Sequence, residues 1–174
     1  LFVGRVAHEK NIGFLLDAFA RAHQICPQAL LLITGEGPAM ESLRQQAAGL
    51  GLADSVRFLG YLDRASALPD CYAAADLFVF ASRTETQGLV LLEALAAGTP
   101  VVALSAMGTA DILADAPGCI APPDDPQAFG EVVGRLLADP AACLELAAQA
   151  RKTASLWSDE AMASRLAQLY RQTL

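Results

Sequence analysis

The sequence is short of charged residues, of aromatic residues and of histidine. Of its 174 residues, 18% are charged and 6% are aromatic, whereas 54% are hydrophobic, and only two are histidines. This balance excludes an intrinsically disordered chain and predicts a single domain, residues 1–174, with a buried core. Lys and Arg number 12 against 19 Asp and Glu, a formal net charge of −7. Because nucleic acids and many membrane surfaces are anionic, we expect this domain to bind neither.

Paired cysteines and long apolar segments are also missing. The four cysteines form no CxxC motif, so neither a zinc site nor a disulfide framework is expected. They are Cys26, Cys71, Cys119 and Cys143. We interpret them as reduced thiols of a cytoplasmic protein. The most apolar stretch, residues 89–104, is too short to cross a bilayer.

Short apolar runs alternate with segments of helical spacing. We predict strands over residues 1–4, 29–34, 56–59, 77–81, 100–103 and 118–121. Helical spacing covers residues 11–25, 40–50, 65–75 and 88–97, and Asp125, Asp139 and Ser158 are predicted to cap three further helices. Since the strands are apolar on both faces, they favour a parallel sheet between two layers of helices. The predicted fold class is α/β, a Rossmann-like, doubly wound, open parallel sheet of about six strands with extra C-terminal helices.

In such sheets, ligands bind where the carboxyl ends of the strands meet. The first predicted strand is followed by Gly4, Arg5 and Lys10, just before a helix. Gly4 lets the backbone turn, and two cations beside a helix N-terminus suit a phosphate or a diphosphate. Solvated surface cations are the alternative interpretation of this loop.

A glycine-rich turn follows the second predicted strand. Gly35 and Gly37 begin a dinucleotide fingerprint, but Met40 stands where GxGxxG needs its last glycine. No acidic residue ends the next strand, so an NAD(P)-dependent oxidoreductase is disfavoured. The two glycines still allow a nucleotide to approach the backbone closely.

The segment of residues 82–94 has the most specific pattern. Glu85 and Glu93 lie eight residues apart, and Gly88 between them permits a tight entry into the next helix. The N–H groups at that helix terminus would face the same crevice as the two cations. Glu93 lies in an apolar run and needs a polar partner, which is either a ligand hydroxyl or a structural ion pair.

Taken in order, these pieces resemble the C-terminal, donor-binding domain of retaining glycosyltransferases with the GT-B fold, family 4 (group 1). The resemblance covers nearly the whole chain and is densest over residues 85–102, which include the E-x7-E motif of Glu85 and Glu93. It implies transfer of a sugar from a nucleotide-diphosphate sugar, of the UDP or GDP type, to a glycan or lipid-linked acceptor. The main alternative is a non-catalytic nucleotide-binding module of Rossmann type.

The resemblance also implies roles for single residues. Arg5, Lys10 and Glu85 would be catalytic: the cations hold the diphosphate and stabilise its developing charge, and Glu85 binds hydroxyls of the transferred sugar. Glu93 would bind the ribose. The other substrate-binding residues would be Gly4, Gly35, Gly37, Gly60, Tyr61, Gly88 and Leu89.

Among these, Gly60 and Tyr61 would lie near the base, and Gly88 and Leu89 would offer backbone N–H groups to phosphate. The sequence contains no DxD motif, and neither a metal nor a cofactor is expected. Because no second suitable carboxylate accompanies Glu85, a front-face, retaining transfer is favoured over a covalent intermediate.

Two segments depart from the family pattern. Gln87 stands where Phe is frequent, and residues 106–111 contain one glycine and Asp111 where paired glycines and Glu are common. The donor sugar is therefore left open. The resemblance further implies a missing N-terminal acceptor domain, against which the helices from about Ala141 to Leu174 would pack. We expect such a fragment to be inactive alone and to form homodimers through its apolar surface. A peripheral position of the parent at the inner face of a membrane is compatible with this interpretation.

Overall fold

A computed structural model describes residues 1–114 and 116–173. The strands are β1 Phe2–Val3, β2 Leu31–Thr34, β3 Val56–Gly60, β4 Phe78–Phe80, β5 Val101–Ala103 and β6 Cys119–Ile120. The helices are α1 Ile12–Ile25, α2 Met40–Gly49, α3 Ala67–Ala74, α4 Leu89–Ala97, α5 Gly108–Leu113, α6 Pro126–Ala138, α7 Pro140–Ser155 and α8 Asp159–Thr173. The predicted strands are thus confirmed to within two residues at each end.

The six strands are all parallel and form two hydrogen-bonded sheets, in the orders β1-β2-β3 and β4-β5-β6. The two sheets meet along β1 and β4. There the backbone nitrogen of Leu1 donates to Leu77 O at 2.8 Å, and Val79 N donates to Leu1 O at 2.9 Å. The strand order across both is therefore β3-β2-β1-β4-β5-β6. This order confirms the predicted doubly wound fold, with its switch point between β1 and β4.

The core lies between the strands and the helices on both sides of them. The rings of Phe2 and Phe80 stack with centroids 5.9 Å apart, which joins the two sheets through side chains as well. Helix α6 packs closely on α1 because Gly130 presents no side chain: a Cβ there would lie 2.1 Å from Ala18 O. These buried layers fix the positions of the loops at the strand ends.

The three predicted C-terminal caps are confirmed. Asp125 accepts from Ala128 N at 2.8 Å, and Asp139 accepts from Ala142 N at 3.2 Å, each just before a proline at the first helical turn. The Ser158 hydroxyl likewise accepts from Ala161 N at 3.2 Å. Side-chain caps of this kind satisfy amide groups that no helical partner reaches.

The last two helices leave apolar side chains exposed to solvent. Leu144 on α7 is 71% exposed, and Leu166 on α8 is 52% exposed. This agrees with the expected apolar surface. The N-terminal domain expected to pack on it and the homodimer are still predictions. Leu174, at the end of the predicted helical region, lies outside the described residues.

None of the helices in the described residues is both long and apolar enough to cross a bilayer. The four cysteines are free thiols, as predicted. Burial raises the pKa of the Cys119 thiol to about 12, so this cysteine is a poor nucleophile near neutral pH.

Candidate active site

The candidate site is the crevice between two loops, residues 4–11 after β1 and residues 81–88 after β4. The two loops are hydrogen-bonded to each other. Asn11 Nδ2 donates to Ala81 O at 3.1 Å, and the buried Ser82 hydroxyl donates to Glu9 O at 3.2 Å. These two positioning residues were not among the sequence predictions. The backbone of Asn11 is left-handed, with a φ of 54°, and asparagine tolerates this conformation better than most residues do.

Lys10 and Glu85 meet in this crevice although 75 residues separate them. Lys10 Nζ lies 2.8 Å from Glu85 Oε2, and the two side chains are only 22% and 18% exposed. The other oxygen of Glu85 accepts weaker bonds from the backbone nitrogens of Gly88 at 3.3 Å and Gln87 at 3.4 Å. The Lys10 hydrogen bond holds the pKa of the Glu85 carboxyl below its usual range, against the opposing effect of partial burial. Glu85 is therefore ionised at neutral pH.

Arg5 lies in the same loop but makes a different contact. Its guanidinium is 3.6 Å from Glu9 Oε1, and its side chain is 66% exposed. An exposed pair of this kind contributes little stability, so Arg5 is available to an anion that enters the crevice. The structure thus brings Lys10, Glu85 and Gly88 together, whereas the exposed Arg5 contacts Glu9.

Gly4, Gly35 and Gly37 allow three strand-end loops to pack against each other. A Cβ on Gly35 would lie 1.9 Å from Gly4 O, and a Cβ on Gly37 would lie 2.3 Å from Val6 O. Gly35 N also donates to Gly60 O at 2.8 Å. These contacts explain why glycine is required at positions 35 and 37. That the glycines border a nucleotide is still a prediction.

Helix α4 begins at the crevice. Gly88, its N-cap residue, has φ of 67° and provides no side-chain cap for the first amide groups of the helix. Leu89 follows it and is 56% exposed, so the helix terminus is accessible at Leu89, whereas Gly88 is buried and its N–H group donates to Glu85 Oε1 at 3.3 Å. Such a terminus favours an anion through its N–H groups and its dipole.

Helix α5 was not predicted and packs directly on the loop that carries Glu85. Gly108 N donates to Glu85 O at 2.9 Å, and a Cβ on Gly108 would lie 2.1 Å from Thr86 O. The preceding residue, Met107, has a φ of 48° and is 60% exposed. Residues 106–111 depart from the family pattern and contain one glycine, Gly108. Glycine is required at this position because two backbones approach each other closely there.

Glu93 has two polar partners within the protein. Tyr72 Oη donates to Glu93 Oε2 at 2.8 Å, and the Arg64 guanidinium donates to Oε1. Burial, followed by the hydrogen bond to Glu93, raises the pKa of the Tyr72 hydroxyl far above its usual range. The structural ion pair, one of the two alternatives open from the sequence, is therefore present. Because the Glu93 side chain remains 30% exposed, a ligand can still reach it.

The residues expected near the base lie at the end of β3. Gly60 has φ of 71°, which turns the chain, and the side chain of Tyr61 is 67% exposed. Arg64, on the same loop, connects this end of the crevice to Glu93 on α4.

Another ion pair, between Arg83 and Asp124, lies at the end of β4 and was not predicted from the sequence. Arg83 Nε and Nη2 bind the two oxygens of Asp124 at 2.8 and 2.7 Å. The hydrogen bond to Asp124 raises the pKa of Arg83, and the same bond lowers the pKa of Asp124. This bidentate pair ties the Glu85 loop to the segment that precedes α6.

An apolar cavity of about 380 Å³ lies at the opposite edge of the sheets, beside Leu1, Leu31, Leu77 and Cys143. These residues stand at or before the amino ends of their strands or on a helix behind them. The cavity is lined mainly by hydrocarbon, whereas the charged and glycine-rich loops lie at the carboxyl ends. The crevice is therefore the candidate site.

Comparisons with known proteins identify the family of the chain. Residues 1–139 match the family of Glycosyl transferases group 1. The chain therefore belongs to this glycosyltransferase family, which confirms the resemblance to glycosyltransferases of family 4 (group 1) with the GT-B fold.

Two curated relatives and one solved structure illustrate the likeness. The chain is 44% identical over 103 residues to alpha-monoglucosyldiacylglycerol synthase of Streptococcus pneumoniae, covering 59% of this chain and 23% of that protein. It is 36% identical over 179 residues to D-inositol 3-phosphate glycosyltransferase of Salinispora arenicola, covering 97% of this chain and 40% of that protein. The structure of Anabaena HepE in complex with UDP superposes with a TM-score of 0.82 at 26% identity, covering 99% of this chain and 49% of HepE. The chain thus spans less than half of each of these proteins.

Proposed function

We propose that this chain is the donor-binding half of a retaining glycosyltransferase that uses a nucleotide-diphosphate sugar of the UDP or GDP type. The observation that carries the proposal is the Lys10–Glu85 pair, held at 2.8 Å beside the N-terminus of α4. Two solved structures of Anabaena HepE, in complex with UDP and with UDP-glucose, share this fold at 26% and 27% identity, which supports a nucleotide-sugar donor. The acceptor is a glycan or a lipid-linked molecule bound largely by an N-terminal domain.

The diphosphate binds between the two loops. Lys10 and Arg5 neutralise its charge. The backbone N–H group of Leu89 donates to its oxygens, and so does that of Gly88 after it leaves its weak 3.3 Å bond to Glu85. As the bond to the sugar breaks, negative charge grows on the leaving diphosphate. Donors and cations already fixed around that position lower the barrier, because they need no reorganisation during the reaction.

The sugar and the nucleoside lie on either side of the diphosphate. Glu85, kept ionised by Lys10, accepts hydrogen bonds from hydroxyls of the transferred sugar. Glu93 accepts from the ribose hydroxyls, and the Gly60–Tyr61 turn borders the base. Gly4, Gly35 and Gly37 shape the wall of the nucleotide pocket by holding the strand-end loops together.

Retention of the anomeric configuration proceeds by a front-face transfer in this account. Both oxygens of Glu85 already accept hydrogen bonds, from Lys10 and from backbone nitrogens, which suits a binding group better than a covalent nucleophile. We expect mass spectrometry of an enzyme that carries this domain together with its acceptor domain, incubated with donor, to show no sugar attached to Glu85. A glycosyl adduct trapped on that side chain would contradict the front-face route.

A panel of nucleotides tests the donor site. We expect the melting temperature to rise with UDP or GDP, by roughly 5–10 °C at 100 times the dissociation constant, and not with NAD. The shift should be lost in Arg5→Ala and Glu93→Ala. Stabilisation by NAD alone would overturn the proposal. Nucleotide binding that survives Glu85→Ala and ignores the sugar would instead favour the non-catalytic module.

A further inference from the structure

The two oxygens of Glu93 have partners of opposite character. Tyr72, which donates to Oε2 at 2.8 Å, is 3% exposed. Arg64, which donates to Oε1, has a side chain that is 67% exposed. The carboxylate is therefore held from the protein interior and covered from the solvent side.

The interior partner is rigidly placed. The ring of Tyr72 packs against Phe78 with centroids 5.7 Å apart, and Thr99 Oγ1 donates to the backbone oxygen of Tyr72 at 2.6 Å. Phe78 belongs to β4, and Thr99 follows α4, so Tyr72 is fixed to both elements that flank the crevice. A buried hydroxyl in such a position loses little freedom when it donates to Glu93.

The outer partner is easily displaced. Arg64 lies in the loop between β3 and α3, and its pair with Glu93 is largely exposed to water. Such pairs typically contribute little stability, because water screens the charges and a long side chain must be ordered. A ligand hydroxyl can therefore replace the guanidinium at Oε1 at small cost.

We propose that Tyr72 is a positioning residue that fixes Glu93 for the ribose hydroxyls, and that Arg64 is a displaceable cover of the same carboxylate. The inference rests on the proposed function, in which Glu93 binds the ribose. On nucleotide binding, an O–H donor of the ribose replaces the N–H donor of Arg64, while the Tyr72 bond is kept. Removing Tyr72 or Arg64 should then have opposite effects on binding.

The test compares UDP and GDP, each beside its 2′-deoxy analogue, by isothermal titration. The wild-type protein should bind the ribonucleotide more tightly than the deoxynucleotide. Tyr72→Phe should reduce this preference by about threefold to tenfold, since one hydrogen bond to the charged carboxylate is lost. Arg64→Ala should tighten ribonucleotide binding by up to about fivefold, since the competing donor is gone, and should strengthen the preference, because the deoxynucleotide lacks a hydroxyl that competes with Arg64.

A matched control removes another buried hydroxyl. Thr153, whose side chain donates to Pro117 O, lies on α7 away from the crevice and is 2% exposed. Thr153→Val should lower the melting temperature without changing the ribose preference. A merely structural Tyr72 would behave like this control.

The outcomes separate the inference from the proposed function. A folded Tyr72→Phe protein with the wild-type preference would overturn the positioning role, and weaker binding by Arg64→Ala would overturn the cover. If the wild-type protein prefers the ribonucleotide but neither variant differs from it, the inference fails alone. If the wild-type protein binds the ribonucleotide and its 2′-deoxy analogue with equal affinity, Glu93 does not contact the ribose. The inference would then fail together with that part of the proposed function.

Discussion

In an enzyme that carries this domain together with its acceptor domain, replacing Lys10 with Met should lower kcat/KM for sugar transfer by about 10²–10³-fold, the range found when one preorganised electrostatic group is removed. The change keeps an unbranched side chain but deletes the charge that faces the departing diphosphate. It also leaves the partly buried Glu85 without its nearest cation, so the pKa of that carboxyl should rise toward or above its ordinary value. Binding of UDP or GDP, measured by titration calorimetry, should weaken by about tenfold or more.

The chain offers a matched control, because Lys152 is its other lysine. Lys152 lies on α7 and is exposed, with no part in the crevice. Lys152→Met should bind nucleotide and transfer sugar like the wild-type protein. Nucleotide affinity and kcat/KM within twofold of wild type in Lys10→Met would show that the diphosphate lies elsewhere.

Replacing Gly35 with Ala should produce the largest loss of stability among the substitutions considered, at least about 3 kcal/mol. The new Cβ would lie 1.9 Å from Gly4 O, and the backbone at Gly35 has a φ of 115°, which disfavours any side chain. The loop cannot simply move away, because Gly35 N is bonded to Gly60 O and Gly4 N is bonded to Thr34 O. In thermal unfolding, the melting temperature should fall by roughly 6–12 °C.

Gly49→Ala is the control for this substitution. Gly49 lies at the end of α2, and a Cβ there would meet no atom within 4 Å. Because alanine favours the helix over glycine, its stability should be unchanged or raised by up to about 1 kcal/mol. A Gly35→Ala protein as stable as Gly49→Ala would contradict the close packing of the strand-end loops.

The sequence predicted the layered fold because its local signals agree with one another. Strands such as Phe78–Phe80 and Val101–Ala103 are short and buried on both faces, which is typical of a parallel sheet between helices. The caps at Asp125 and Asp139 were readable because each precedes a proline at the start of a helical pattern. Topology alone placed the N-terminus of α4 in the same crevice as Arg5 and Lys10, since both segments follow strands at the carboxyl edge of the sheet, whereas the direct contact between Lys10 and Glu85 was not predicted.

Other parts of the site could not be predicted from the sequence. Helix α5 has six residues and begins at Gly108, and Thr109 anchors it through bonds to Leu104 O and Ala106 O. Such a short element is stabilised by tertiary contacts and has no periodic signal. The partners of Glu93 were hidden for a different reason, since Tyr72 and Arg64 are 21 and 29 residues away and only the packing of α3 on α4 brings them near.

The central claim is the position of the donor diphosphate, and a crystal structure of the protein with bound UDP or GDP tests it most directly. The account predicts diphosphate oxygens within hydrogen-bond distance of Lys10 Nζ and of the Gly88 and Leu89 amides. The nucleotide should also displace Arg64 from Glu93. A nucleotide found in the apolar cavity beside Leu31 and Leu77, with the Lys10–Glu85 pair still at 2.8 Å, would contradict it.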